Sequence, residues 1–274
     1  WGHHPAARGS PVRPGMATVD DRARMAVAAL FREHGDRVYA LGLQVCRNPE
    51  DAQDLVQETF LRALKGWPAF QGRSKASTWL YTIAHRACIR LQRRRSGEPM
   101  PSQLVELGTQ AGEWLATGGE HTSLDEVLKR EAAATVHRAI AGLPEAFRFP
   151  LVLKEFADLS VDEIAGILKL KRATVKTRLH RGRLRVAHAL SDSVPNLDGG
   201  TRPGQACLDI IEAKQRALDE GHPFPMPDAE VCALCHDVCQ TLEVVQRACQ
   251  DLASLELSEP DAQRVSTALD GDPQ

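Results

Sequence analysis

The 274-residue sequence predicts an all-α protein: two helical domains joined by a linker, followed by a small helical C-terminal domain. Three observations predict this. Apolar residues recur at three- and four-residue spacing from Val19 to about Arg95, with no alternating run of the kind a strand needs. Helix-start signals precede the apolar runs, at Asn48-Pro49, Ser123 with Glu126, Ser160 with Glu163, and Ser258 with Asp261. The stretch Leu159 to Leu190 divides into two short amphipathic helices separated by a three-residue turn.

Taken in order, residues 1–18 are expected to be a disordered leader. They are rich in Gly, Pro and Arg and have no apolar stretch of the secretory kind. Val27, Leu30, Phe31, Val38, Leu41 and Val45 then give a stripe that is interrupted near Gly35. Asn48 as N-cap, Pro49 in the first turn and Asp51 near the positive end of the helix dipole start the next helix. That helix buries Leu55, Val56, Phe60 and Leu64, and its spacing leaves Asp51, Asp54, Gln57 and Glu58 outward. A polar loop, Gln71 to Ser77, carries Arg73 and Lys75 and leads into TWLYTIAHRACIRLQRRR. There Trp79, Leu80, Ile83 and Ala87 fit a core face, while Tyr81, His85, Arg86 and Arg90 suit a partner, because aromatics beside arginines can stack on unpaired bases.

Residues 97–122 form a linker with glutamates and no Lys or Arg, and residues 123–190 form the second helical domain. Pro150 predicts a kink or a late start in the helix that Pro144 opens. In the helix pair, Val161, Ile164, Ala165 and Leu168 share one face; Val175, Leu179, Val186 and Leu190 point inward on the second helix. The outer faces of that second helix carry Arg172, Thr174, Lys176, Thr177, Arg178, Arg181, Arg183 and Arg185. Between Lys169 and Arg185 there are eight Lys/Arg and no acid, a pattern that suits a DNA phosphate backbone and a major-groove recognition helix. Residues 191–205 are a second linker, and residues 206–274 a cysteine-rich helical segment.

The net charge of −2 conceals an asymmetry. Residues 190–274 hold 5 basic and 16 acidic side chains, a net of −11, so the remainder carries +9. This is the signature of a nucleic-acid-binding body with an acidic appendage. No apolar run is long enough to span a bilayer, so a soluble, cytoplasmic chain is expected. No Walker loop, nucleophile elbow or well-placed carboxylate pair is present, so no enzyme is expected.

DAQDLVQETFLRAL, STWLYTIAHRACIRLQRRR, LPEAFRFPLVLKEFADLSVDEIAGIL and ATVKTRLHRGRLR together resemble the bacterial extracytoplasmic-function (ECF) sigma factors, in the family's order, across Val27 to Leu190. The resemblance implies that residues 19–96 are sigma region two and residues 123–190 region four, with core RNA polymerase and promoter DNA as partners. Asp51, Asp54, Gln57 and Glu58 fall where the family docks on the polymerase β′ clamp, and the linker falls where the family's connector threads the polymerase and meets β. Arg73, Lys75, Trp79, Tyr81, His85, Arg86 and Arg90 fall on the minus-ten surface, and Arg172 to Arg185 on the helix that reads the minus-thirty-five element. Arg86 stands where the family usually has Asn, and Lys169 where a turn Gly is usual.

Seven cysteines are present, five of them beyond residue 200. Cys232-Ala-Leu-Cys235-His236 matches a haem-attachment motif, but a reading that uses more residues takes Cys207, Cys232, Cys235 and Cys239 as four thiolates for zinc, or for copper. The tail also resembles, more weakly, a zinc-binding anti-sigma fold, with Asp228 where that family has His. Cys46, Cys88 and Cys249 are expected in cores. The expectation for the whole is an ECF sigma factor gated in cis by a metal- or redox-responsive tail, with a separate anti-sigma factor as a further candidate partner. The alternative is a stand-alone metal- or redox-responsive helix-turn-helix regulator.

Overall fold

The computed structural model describes residues 19–46, 48–95, 124–190, 205–224 and 233–270, and among them every regular element is helical. Among the described residues ten α-helices follow one another: α1 (Val19–Cys46), α2 (Pro49–Gly66), α3 (Ala76–Arg95), α4 (Leu124–Gly142), α5 (Glu145–Glu155), α6 (Val161–Leu168), α7 (Arg172–Leu190), α8 (Gln205–Glu220), α9 (Ala233–Ala253) and α10 (Glu259–Asp270). A short 3-10 turn, Trp67–Ala69, links α2 to the loop before α3.

α1, α2 and α3 form the first bundle. The stripe on α1 is not interrupted at Gly35; the helix runs straight through it, and the missing side chain leaves room for the Phe31 ring, 3.0 Å from where a Cβ would sit. Gly42 has a similar use across helices, since a Cβ there would lie 3.0 Å from the Ala52 backbone, so α1 and α2 approach closely. Asn48 caps α2 by accepting from the Asp51 N–H at 2.7 Å. Val38, Leu41, Leu55, Phe60, Leu80 and Ala84 fill the core, with Phe31 edge-on to Phe60 at 5.0 Å.

α4 to α7 form the second bundle. Pro150 does not delay α5, which runs from Glu145 to Glu155 with the proline inside it. Proline removes the bond to the Ala146 carbonyl, but Ala146 is solvent-exposed, so water can take that carbonyl, while Phe149, Leu151, Val152 and Leu153 are buried. Ser160 and Glu163 make the predicted reciprocal capping box at the start of α6. α6 ends on Lys169 in the left-handed region (φ 54°), and the Leu170 N–H reaches back to the Ala165 carbonyl at 3.0 Å. Lysine thus adopts the conformation usually left to glycine.

The two bundles touch. α3 packs on α6, and α1 on α4 and α5. The tail helices are not a separate body: Ile211, Val238, Leu242, Val245, Leu252, Val265 and Leu269 join one continuous apolar core with the bundles. α9 packs against α4, α7 and α8, and α10 lies on α1 and α2. No described helix is long and apolar enough to cross a membrane.

Candidate nucleic-acid and polymerase interface

The predicted recognition helix, α7, presents two different faces. Arg172, Lys176, Thr177 and Arg181 are exposed, and Thr174 and Arg178 are half-buried. Thr174, Thr177, Arg178 and Arg181 line an open groove of about 420 Å³ together with Ala146 and Phe147 at the start of α5. This basic, accessible face is the one a phosphate backbone or base edge can reach. Arg172 is paired with Asp162 at 2.7 Å, both largely exposed, which solvent weakens.

Arg183 and Arg185 do not belong to that face. Arg183 is buried, held by Glu155 at 2.7 Å on α5 and by Asp219 at 2.8 Å on α8. Burial works against its charge, but the two carboxylates more than offset this and hold it protonated. Its position follows helical geometry: Leu179, Val186 and Arg183 share the inward side of α7. Arg185 is half-buried, with its guanidinium 4.1 Å above the Phe147 ring.

The minus-ten candidates divide similarly. Arg73, Lys75 and Arg86 are exposed. Tyr81 is fully buried, 1 % exposed, with its ring edge-on to His34 at 5.8 Å, and burial raises its hydroxyl pKa. It is therefore a core residue here and cannot stack on a base. Trp79 is half-buried in a cluster with Trp67 and Phe70, ring centroids 5.8 and 4.9 Å away. His85 meets Phe149 of the second bundle edge-on at 4.8 Å; burial, then the charge of Arg86, lowers its pKa. Arg90 reaches Glu58 at 2.9 Å.

On α2, Asp54 and Gln57 are exposed. Asp51 is not outward: it is 3 % exposed and its carboxylate accepts from the Asn48 amide at 2.6 Å, so it completes the helix cap. Glu58 is half-buried; burial would raise its pKa, but donation from Arg90 and Arg62 outweighs this and lowers it.

Three contacts escaped sequence reasoning because they depend on how distant helices meet. Glu163, chosen only as a helix-cap residue, also accepts from Thr78 at 3.0 Å and pairs with Lys75 at 3.1 Å, tying the loop of the first bundle to the helix-turn-helix. Burial would raise the Glu163 pKa, yet Ser160, Lys75 and Thr78 together bring it down to about 2. Gln53, next to Asp54, donates to Asp261 of α10 at 2.7 Å. A spacing argument marks Gln53 only as one more polar residue on α2.

Family comparisons agree with this geometry. A model for sigma-70 region 2 matches residues 30–98, and one for sigma-70 region 4 matches residues 133–186. The RNA polymerase sigma factor YlaC of Bacillus subtilis is 32% identical over 171 residues, which is 62% of this chain and 95% of that protein. The ECF RNA polymerase sigma factor SigW of Bacillus subtilis is 33% identical over 170 residues, covering 61% of this chain and 90% of SigW. The chain belongs to the ECF sigma factors. The RNA polymerase sigma-H factor of Pseudomonas aeruginosa is likewise 30% identical over 167 residues, 59% of this chain and 84% of that protein. In this ECF sigma factor the two family segments are the two bundles, and α8 to α10 lie beyond both.

The tail does not bring the predicted thiols into a metal centre within the described residues. Cys235 and Cys239 lie one turn apart on the buried side of α9, beside Val238 and Leu242, and Cys207 is half-buried on α8. Burial, with Glu243 adding to it against Lys214, raises the Cys239 thiol. Among the described residues no three His, Cys, Asp or Glu side chains come together as a ligand set; Cys232 and Asp228 lie outside them.

Proposed function

We propose that this chain directs core RNA polymerase to promoters as an ECF sigma factor, and that its own α8–α10 segment gates that activity in cis. The first half rests on the two family segments in order, with an exposed basic face on α7 and exposed Asp54 and Gln57 on α2. The second rests on one observation above others: the acidic tail packs on both helices that carry the working surfaces. Asp219 of α8 joins Arg183 on the recognition helix at 2.8 Å, and Asp261 of α10 joins Gln53 beside Asp54 at 2.7 Å.

Further contacts reinforce this closed arrangement. Glu212, Asp219 and Glu220 of α8 line a cleft of about 580 Å³ with Lys75, Arg172 and Lys176. Arg24 of α1 donates to the Leu269 and Asp270 carbonyls at the end of α10, at 3.2 and 2.6 Å, and Asp36 accepts from the Leu257 N–H at 2.9 Å. With Glu163 clasping Lys75 and Thr78, the minus-ten loop and the helix-turn-helix are held together. On this reading the tail favours the clasped state, which opens when the two bundles engage their separate promoter elements.

The test is run-off transcription with core polymerase. Full-length protein is compared with a chain ending near Ser193 and with an Asp219→Asn/Asp261→Asn variant. Gating predicts higher transcription from both altered proteins; equal transcription from all three removes it while leaving the sigma assignment standing. Zinc or copper on Cys207, Cys232, Cys235 and Cys239 is a separate proposal. It is tested by metal analysis of purified protein against a Cys232/Cys235/Cys239 triple Ser variant. A separate anti-sigma factor would register in the same assay as a protein that silences the truncated chain.

A further inference from the structure

Outside the tail, the fold brings together two cysteines far apart in sequence. Cys46, the last residue of α1, and Cys88, in the middle of α3, place their Sγ atoms 3.7 Å apart. Cys88 is buried and Cys46 half-buried, so a small oxidant has access from the Cys46 side. A disulfide needs about 2.05 Å between sulfurs, so closure asks for a movement of about 1.7 Å shared between two side chains. The backbones are already held side by side, since Gln92 on α3 donates to the Val45 carbonyl at 3.4 Å.

We propose that Cys46 and Cys88 form an oxidisable dithiol, a modification site for hydrogen peroxide that pins the candidate minus-ten helix α3 to the end of α1. The thiolate of Cys46 attacks one peroxide oxygen; the O–O bond breaks, a sulfenic acid forms, and the other oxygen leaves as water after taking a proton. The Cys88 sulfur then attacks the Cys46 sulfur, the S–O bond breaks, and a second water leaves. Two thiols are oxidised to one disulfide and one peroxide is reduced to two waters; an external dithiol reverses the change. Cys88 lies between Arg86 and Arg90, so the bond fixes the stretch of α3 that carries them. This device belongs to the sigma body and is independent of the tail thiols and of gating.

The experiment uses the full-length chain. Native protein is treated with hydrogen peroxide, alkylated, and digested with trypsin without reduction. The expected product is VYALGLQVCR (residues 38–47) joined to ACIR (residues 87–90), two hydrogens lighter than the separate peptides, absent after dithiothreitol. A Cys207/Cys235/Cys239 triple Ser variant keeps this product, and the oxidised protein melts several degrees higher than the reduced one because the link constrains the unfolded chain. Alkylation of both Cys46 and Cys88 after peroxide treatment, or their pairing with tail cysteines instead of each other, overturns the proposal. Because the peptide readout is made on the unmutated protein, no folding defect can mask the result.

Discussion

Arg183 and Arg181 lie two residues apart on one helix, yet burial gives them opposite tasks. Arg183 is itself buried between the largely covered Glu155 and Asp219, so Arg183→Ala breaks this pairing, leaves both carboxylates without their cation and should cost about 3–5 kcal/mol of stability, read by urea unfolding. Arg181 is exposed; Arg181→Ala should change stability by no more than about 0.5 kcal/mol but weaken minus-thirty-five binding by about 1–3 kcal/mol, read by fluorescence anisotropy. Glu163 makes a pH prediction. Its folded pKa, about 2, lies below its ordinary value of 4.5, so its contribution is fully present above pH 4.5 and fades as pH falls toward 2. Glu163→Gln should remove that acid-window loss and lower stability at neutral pH, in unfolding curves taken between pH 2 and 7.

At the scale of the element, α6 and its ends show which local rules survived packing. Ser160→Ala should remove the capping box and cost about 1 kcal/mol, measured by thermal melting. Lys169→Gly should do the reverse, since a left-handed residue with a side chain carries about 1 kcal/mol of strain that glycine does not. A melting temperature unchanged or lowered by Lys169→Gly would mean that packing has already relieved the strain. The capping box at α6, the Ser258 cap on α10, the Asn48 cap on α2 and the basic outer face of α7 were all legible in the sequence, because each is set by neighbours within four residues. The uninterrupted passage of α5 through Pro150 was not, because it depends on the exposure of Ala146 and the burial of the residues around it.

At the scale of the whole molecule, two histidines stand at the joint between the bundles. His85, half-buried, packs on Phe149, and the buried His137 shares a 2.9 Å hydrogen bond with Gln44. Burial lowers both pKa values below 6.5, so the closed form binds protons less readily than a separated or unfolded one. Its stability is complete above pH 6.5 and declines as pH falls below that value. Small-angle scattering between pH 8 and 5.5 should show expansion on the acid side, and His137→Gln should blunt it. A radius of gyration constant across that range, with the fold intact, would place the joint's strength in apolar packing alone.

Within the chain, what the sequence by itself determined is local: which segments are helices, where most begin, which faces are apolar, and that two segments match sigma regions two and four. The helical properties follow from side-chain periodicity and from hydrogen bonds between near neighbours, both written in consecutive residues, and the family match from the resemblance of whole segments. The tertiary structure decided the rest. It turned Arg183 and Tyr81 from presumed DNA contacts into core, made Asp51 a helix cap, joined Glu163 to Lys75, and placed Cys46 against Cys88 and the acidic tail on the body. A helical repeat tells which residues share a face, but which face meets which neighbour depends on how helices distant in sequence bury their apolar area together, and that choice is made only by the folded whole.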